Sequence, residues 1–140
     1  MAAQGEREVA TAINADGVID SNILIDAMNG IVDAVAFLEE QQVTEIQISI
    51  VSAMELIAGC RNKTEMTELQ KFFQKCTFLP ITAAVSHVAF QLMESFYLSH
   101  GLVLPDALIA ATALEHDLTL YTRNMRHFRM IPQLKVSQPY

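Results

Sequence analysis

The chain has 140 residues, enough to bury one core and too few for two domains of ordinary size. Hydrophobic residues make up 51% and charged residues 18%, below the roughly 25% charged of an average globular protein, which excludes disorder and suggests surface kept for a partner. A net charge of −7 argues against indiscriminate binding of nucleic acid.

No apolar run approaches the about 18 residues that a membrane span needs; the longest is Ala107 to Leu114, with Thr112 inside it. The N-terminus is charged and no apolar segment follows it, so a soluble, cytoplasmic protein with no membrane partner is expected. Cys60 and Cys76 are expected as buried free thiols, since nothing marks secretion and a core of this size needs no staple.

Residues 1–16 show no periodicity and are expected to form a flexible tail, with the folded domain running over residues 17–140. Val18-Ile19-Asp20 reads as a short strand ending in an acid, after which Ser21 or Asn22 can cap a helix through Met28. Asn29-Gly30 breaks that helix, and Ile31, Ala34, Val35 and Leu38 restart a helical stripe to about Gln42. Ile46 to Val51 is β-branched and strand-like; Ser52 then stands at capping-box spacing from Glu55, and the helix that follows ends at Gly59. Thr64 to Lys75 reads as an exposed helix and Phe78 to Ile81 as a short strand whose Pro80 marks an edge or an end. From Ala83 to Ser99 a long helix is apolar on more than one face, so it should be buried or shared with a second subunit. Gly101 stops it, and Pro105 suits the first turn of a helix continued by Ala107 to Glu115. Leu118 to Thr122 reads as a strand, Asn124 to Phe128 as a helical turn, and Leu134 to Val136 as a last strand.

Strands alternating with helices imply a parallel sheet covered on both faces, whose ligand crevice lies beyond the carboxyl ends of the strands. Asp20 ends the first strand, Glu55 sits early in the helix after the second, Asp106 opens the helix before the fourth, and Asn124 follows the fourth. All four are therefore expected at one sheet edge. Carboxylates crowded there repel one another unless a cation neutralises them. Mg²⁺ or Mn²⁺ fits, because hard divalent ions take oxygen ligands and keep open positions for a phosphate and an attacking water. Each residue also has a plainer reading: Glu55 as the capping partner of Ser52, Asp106 as a charge on a helix dipole, Asp26 as a solvated helix residue, His127 as a capping or packing residue. Asp20 is the hardest to dismiss, since a carboxylate ending an apolar strand costs desolvation unless a partner waits.

Charge is uneven along the chain. Residues 1–60 hold ten acids against Arg7 alone. Arg61, Lys63, Lys71 and Lys75 alternate with Glu65 and Glu68, whereas Arg123, Arg126 and Arg129, with His127 and Lys135, contain no acid among them and follow the strand that delivers Asn124. Those three arginines are the expected contacts to a nucleic-acid backbone.

Four segments carry a resemblance: Asp20-Ser21-Asn22-Ile23-Leu24-Ile25-Asp26, Ser49 to Gly59, Pro105 to Ala113, and Leu120 to Phe128. In this order and spacing they resemble the motifs of PIN-domain ribonucleases of the VapC toxin type, and Ile131 to Val136 is similar to that family's closing strand. The resemblance implies a three-layer α/β/α sandwich around a central parallel sheet of about five strands. It also implies Mg²⁺ or Mn²⁺ dependence, endonucleolytic cleavage of RNA, a homodimer, and inhibition by a cognate antitoxin laid across a hydrophobic groove. Asp20, Glu55 and Asp106 match the family's metal-binding acids; Asn22, Ser52 and Thr122 match polar positions near them. Asn124 stands where many members have a fourth acid, so it can offer oxygen without charge. Asn124 and the net charge also motivate an alternative, a nuclease-dead PIN module that binds RNA or protein. A phosphate-transfer fold with two acids after the first strand is disfavoured because Asn22 holds the second position.

Overall fold

The computed structural model describes residues 17–41 and 45–140; the expected tail and Gln42 lie outside them. Five strands and seven helices alternate among the described residues: β1 (Gly17–Ile19), α1 (Ser21–Met28), α2 (Val32–Gln41), β2 (Ile46–Ser49), α3 (Ile50–Ala58), α4 (Lys63–Phe73), β3 (Cys76–Leu79), α5 (Ala83–His100), α6 (Leu104–Glu115), β4 (Thr119–Tyr121), α7 (Met125–Phe128) and β5 (Val136–Ser137). All strand pairs are parallel. The backbone ladders form two groups, β3 with β2 and β1-β4-β5, rather than one continuous five-stranded ladder. β1 lies beside β2, and the Gln47 side-chain amide donates to the Gly17 carbonyl across that seam at 3.1 Å. The spatial order is therefore β3-β2-β1-β4-β5.

Period-two alternation sends neighbouring strand residues to opposite faces, and two cores result. Val18 and Leu120 pack with Val85, Ala89 and Leu92 of α5, the small residues of α6, and Phe128. Ile19, Ile46 and Ile48 pack with Ile23 and Leu24 of α1, Leu38 of α2 and Leu69 of α4. α3 serves both, giving Val51 to the first core and Ala53 and Leu56 to the second. This is the expected α/β/α sandwich. No single helix among the described residues is long and apolar enough to cross a membrane.

Several local expectations shift. Asp20 itself caps α1, its carboxylate accepting from the Ser21 amide, in place of Ser21 or Asn22. β2 stops at Ser49, which caps α3 by accepting from Val51 N at 3.0 Å. Ser52 is therefore inside the helix, and the capping box with Glu55 does not form. β3 begins at Cys76 and β5 at Val136, each two residues from its expected start. Gly101 ends α5 in the left-handed region at φ 69°, a conformation glycine adopts without the usual side-chain clash. The free thiols Cys60 and Cys76 are only partly buried.

Candidate active site

Chain tracing runs outward from β1 in one direction through β2 and β3, then returns to the other side of β1 through β4 and β5. The strand order reverses between β1 and β4, and their carboxyl ends frame the crevice that such a switch point opens. Asp20 leaves β1 there and Thr122 leaves β4.

The two are joined directly. The Thr122 hydroxyl, fully buried, donates to Asp20 Oδ2 at 2.9 Å. Thr122 Oγ1 itself accepts from Asn124 N at 2.9 Å and from Asn22 Nδ2 at 3.2 Å. Asn22 Oδ1 in turn accepts from Arg123 N at 3.2 Å. Asp20 Oδ1 accepts from Ser21 N at 2.8 Å. A buried carboxylate is thus satisfied by donors from both strand ends, as burial demands.

Glu55, near the mouth, accepts from the Ser21 hydroxyl at 3.0 Å. Asp106 Oδ2 lies 3.0 Å from His127 Nδ1, so His127 is neither a cap nor only packing. Burial, the largest influence in each case, raises all three carboxyls above their ordinary values. At Asp20, Thr122 and Ser21 pull back and Asp106 pushes further up. At Glu55 the Ser21 hydroxyl pulls back and Asp20 pushes up; at Asp106 the neighbouring His127 pulls back and Glu55 pushes up. Beyond burial, each acid thus raises the next, as negative charge gathered at one edge does.

The expected residues divide. Asp20, Asn22 and Thr122 form one hydrogen-bonded group, with Asn124 tied to it through its backbone and Glu55 through Ser21. Asp106 shares its field without touching it. Among the described residues, no three His, Cys, Asp or Glu side chains are gathered closely enough to hold a metal ion as they stand. The donor set nevertheless suits a hard divalent cation: oxygen ligands only, three carboxylates, and mutual repulsion that a cation would relieve. Ser52 is fully buried with its hydroxyl unpartnered among the described residues, apart from this group.

The basic stretch also divides. Arg123 is 3.4 Å from Asp26 and lies over the Tyr140 ring at 4.5 Å, while the Tyr140 hydroxyl donates to Asp26 at 2.9 Å. Asp26 is thus a partner rather than a solvated residue, and Arg123 is committed. Arg126 and Arg129 are exposed and make no ion pair among the described residues. Nothing in the local pattern points to the Asp106–His127 contact beyond the single histidine after Arg126.

The fold and this edge define the class. A PIN-domain profile matches residues 17–132, and the chain belongs to the PIN-domain family. Its relatives within that family are VapC proteins. It is 35% identical over 121 residues to Ribonuclease VapC19 of Mycobacterium tuberculosis, covering 84% of this chain and 96% of the relative. To Ribonuclease VapC10 of the same organism it is 37% identical over 120 residues, covering 84% and 90%. Among solved structures, a toxin-antitoxin complex from Klebsiella pneumoniae superimposes with a TM-score of 0.73 at 30% identity, covering 89% of this chain and 98% of that one.

Proposed function

We propose that this chain is a Mg²⁺- or Mn²⁺-dependent endoribonuclease that hydrolyses RNA phosphodiester bonds, and that it is the toxin of a toxin-antitoxin pair working in the cytoplasm. The nuclease domain is taken as residues 17–140. The observation that carries the reading is the group of three carboxylates at the β1/β4 switch point, each raising the next, in a chain whose relatives are VapC ribonucleases.

Asp20, Glu55 and Asp106 would hold the ion, and Asn124 adds a neutral amide oxygen. A bound divalent ion supplies Lewis acidity: it brings the pKa of its water toward neutrality and offsets charge on the phosphate. The chain's own residues do the rest. Thr122 and the Ser21 amide fix the Asp20 carboxylate in one orientation, and His127 does the same for Asp106. Asn22 links Asp20 to the backbone of Arg123, so the α1 start and the β4 end move as one. Arg126 and Arg129 are placed to hold RNA phosphates; Arg123 contributes to the rim instead, through Asp26 and Tyr140.

Exposed apolar residues support two protein partners. Ile25 and Met28 of α1, Val32 of α2, and Met54 and Ile57 of α3 offer the antitoxin an apolar face beside the carboxylates. Phe90, Tyr97 and Leu98 form a stripe along the outer side of α5, suited to a second copy of the chain.

The test is cleavage of end-labelled RNA with Mg²⁺ or Mn²⁺, with EDTA, and with Asp106→Asn. Loss of cleavage in EDTA and in the variant, with the fold kept by circular dichroism, is expected. Cleavage that survives both overturns the reading; RNA binding without cleavage by the unmodified chain establishes the nuclease-dead alternative.

A further inference from the structure

A cavity of about 310 Å³ opens between the α5–α6 junction and α7, lined by His100, Leu102, Val103, Asp106, Arg126 and His127 among others. The lower bound for small-molecule sites is about 300 Å³, so it is large enough for a ligand. Asp106 belongs both to this cavity and to the carboxylate group, so the cavity adjoins the carboxylates.

Its chemistry is unlike the rest of a protein with net charge −7. One guanidinium and two imidazoles face a single carboxylate. Arg126 makes no ion pair among the described residues and His127 is partly exposed, so both can donate to a phosphate or to a base edge. The His100 ring is already oriented. Its Nδ1 is 2.7 Å from the Ser99 hydroxyl, and the ring stands edge-on to Phe96 with centroids 5.7 Å apart. A held planar ring beside the aliphatic Val103 and Leu102 is what stacking on a nucleobase requires. Gly101, at φ 69° with nothing within 4 Å of a built Cβ, leaves the space between them open.

We infer that this cavity binds one nucleotide of single-stranded RNA next to the phosphate that is cut, with Arg126 and His127 toward its phosphate and His100 with Val103 against its base. The inference rests on the ribonuclease reading and says where the substrate lies within it. His100 and Val103 are thereby specificity-determining, and Arg126 is a general phosphate contact.

The experiment sequences the new ends made by the full chain from a pool of RNA decamers of random sequence, with Mg²⁺ or Mn²⁺ present. For His100→Ala, base preference at one position beside the cut is expected to weaken by about tenfold, the scale of one stacked base. For Arg126→Ala, cleavage is expected to fall across all sequences with preference unchanged. In parallel, imidazole NMR signals of the metal-free wild type in EDTA are followed as an RNA octamer is added. Those of His100 and His127 are expected to move, and those of His87 and His116 to stay. If the wild type cuts RNA but His100→Ala keeps every preference, or the His100 and His127 signals stay fixed, the subsite is wrong and the ribonuclease reading stands. If the wild type neither cuts nor binds RNA, the ribonuclease reading fails and the subsite with it.

Discussion

Thr122 is the position where one buried hydroxyl organises the site, and Thr122→Val removes it with almost no change of shape. The hydroxyl donates to the Asp20 carboxylate and accepts from two N–H groups. A hydrogen bond to a charged group contributes about 1.5–3 kcal/mol net. The two lost donors add little, because Asn124 is exposed and Asn22 partly so, and both can turn to water. A loss of about 2 kcal/mol follows. For 140 residues the unfolding entropy at Tm is about 0.3 kcal/mol per kelvin, so Tm is expected to fall by about 7 °C. The consequence for activity is separate. Asp20 loses its fixed orientation, and the hydroxyl no longer holds its carboxyl down, so metal affinity or cleavage is expected to drop about 10- to 100-fold, as for other partners of ligating groups. Thr122→Ser, which keeps the hydroxyl, is expected to restore most of both. Calorimetry, a metal titration and a cleavage assay on the three proteins decide it. A Val variant that melts within about 2 °C of wild type and cuts RNA at the same rate refutes the assignment of Thr122, as does a Ser variant no better than Val.

The remaining expectations concern single residues. Asn124→Asp raises the ligand charge from −3 to −4 (Asp20, Glu55 and Asp106, then a fourth acid) and is expected to tighten Mg²⁺ binding and speed cleavage at low Mg²⁺; a metal titration showing no difference means another acid already fills that place. Ser52→Ala deletes a buried hydroxyl without a partner among the described residues and is expected to leave stability unchanged or raise it by up to about 1 kcal/mol, read as an unchanged or higher Tm; a fall in Tm would mean that the hydroxyl has a partner after all. Burial pushes the Cys76 thiol up to about 11, so its alkylation by iodoacetamide is expected to keep accelerating beyond pH 10. Because the folded value lies above the unfolded one, the protonated thiol's stabilisation is full below about pH 8.5 and lost as pH rises toward the folded value. A labelling rate that levels off near pH 9 contradicts this.

Element types were legible along the chain because hydrophobic period and turn chemistry agreed. Asn29-Gly30, Gly101 and Pro105 punctuate the structure where their backbone preferences require it, Val18 and Ile19 face opposite cores, and Ile46 and Ile48 share one. Boundaries were less legible for a local reason. Ser49 and Ser52 are both competent caps, and only the tertiary position of Ile50 and Val51 against the sheet decides that the helix starts at Ser49. That Asp20 needs partners is legible from its cost at the end of an apolar strand. The bonds that hold it were not, since Thr122 is 102 residues away and no local pattern brings the two together. The partners of Arg123 are hidden for a similar reason: Asp26 lies 97 residues before it and Tyr140 at the far end of the chain, so no nearby acid marks the pairing.

That commitment bears on how a polyanion reaches a protein of net charge −7. Arg61, Lys71, Arg123 and Lys135 all stand against acids, whereas Lys63, Lys75, Arg126 and Arg129 make no ion pair among the described residues. Of the unpaired cations, Arg126 and Arg129 stand on and just after α7, where His127 meets Asp106, while Lys63 opens α4 and Lys75 follows its end. Exposed ion pairs of this kind add little to stability, but they remove competing landing sites. Arg126 and His127 are the cations nearest the carboxylates, and on the proposed function those carboxylates are expected to weaken the hold on RNA unless a cation offsets them. On that reading metal and RNA binding are expected to be coupled in sign, each lowering the electrostatic cost of the other, so that RNA binds the metal-free protein more weakly than the protein with Mg²⁺.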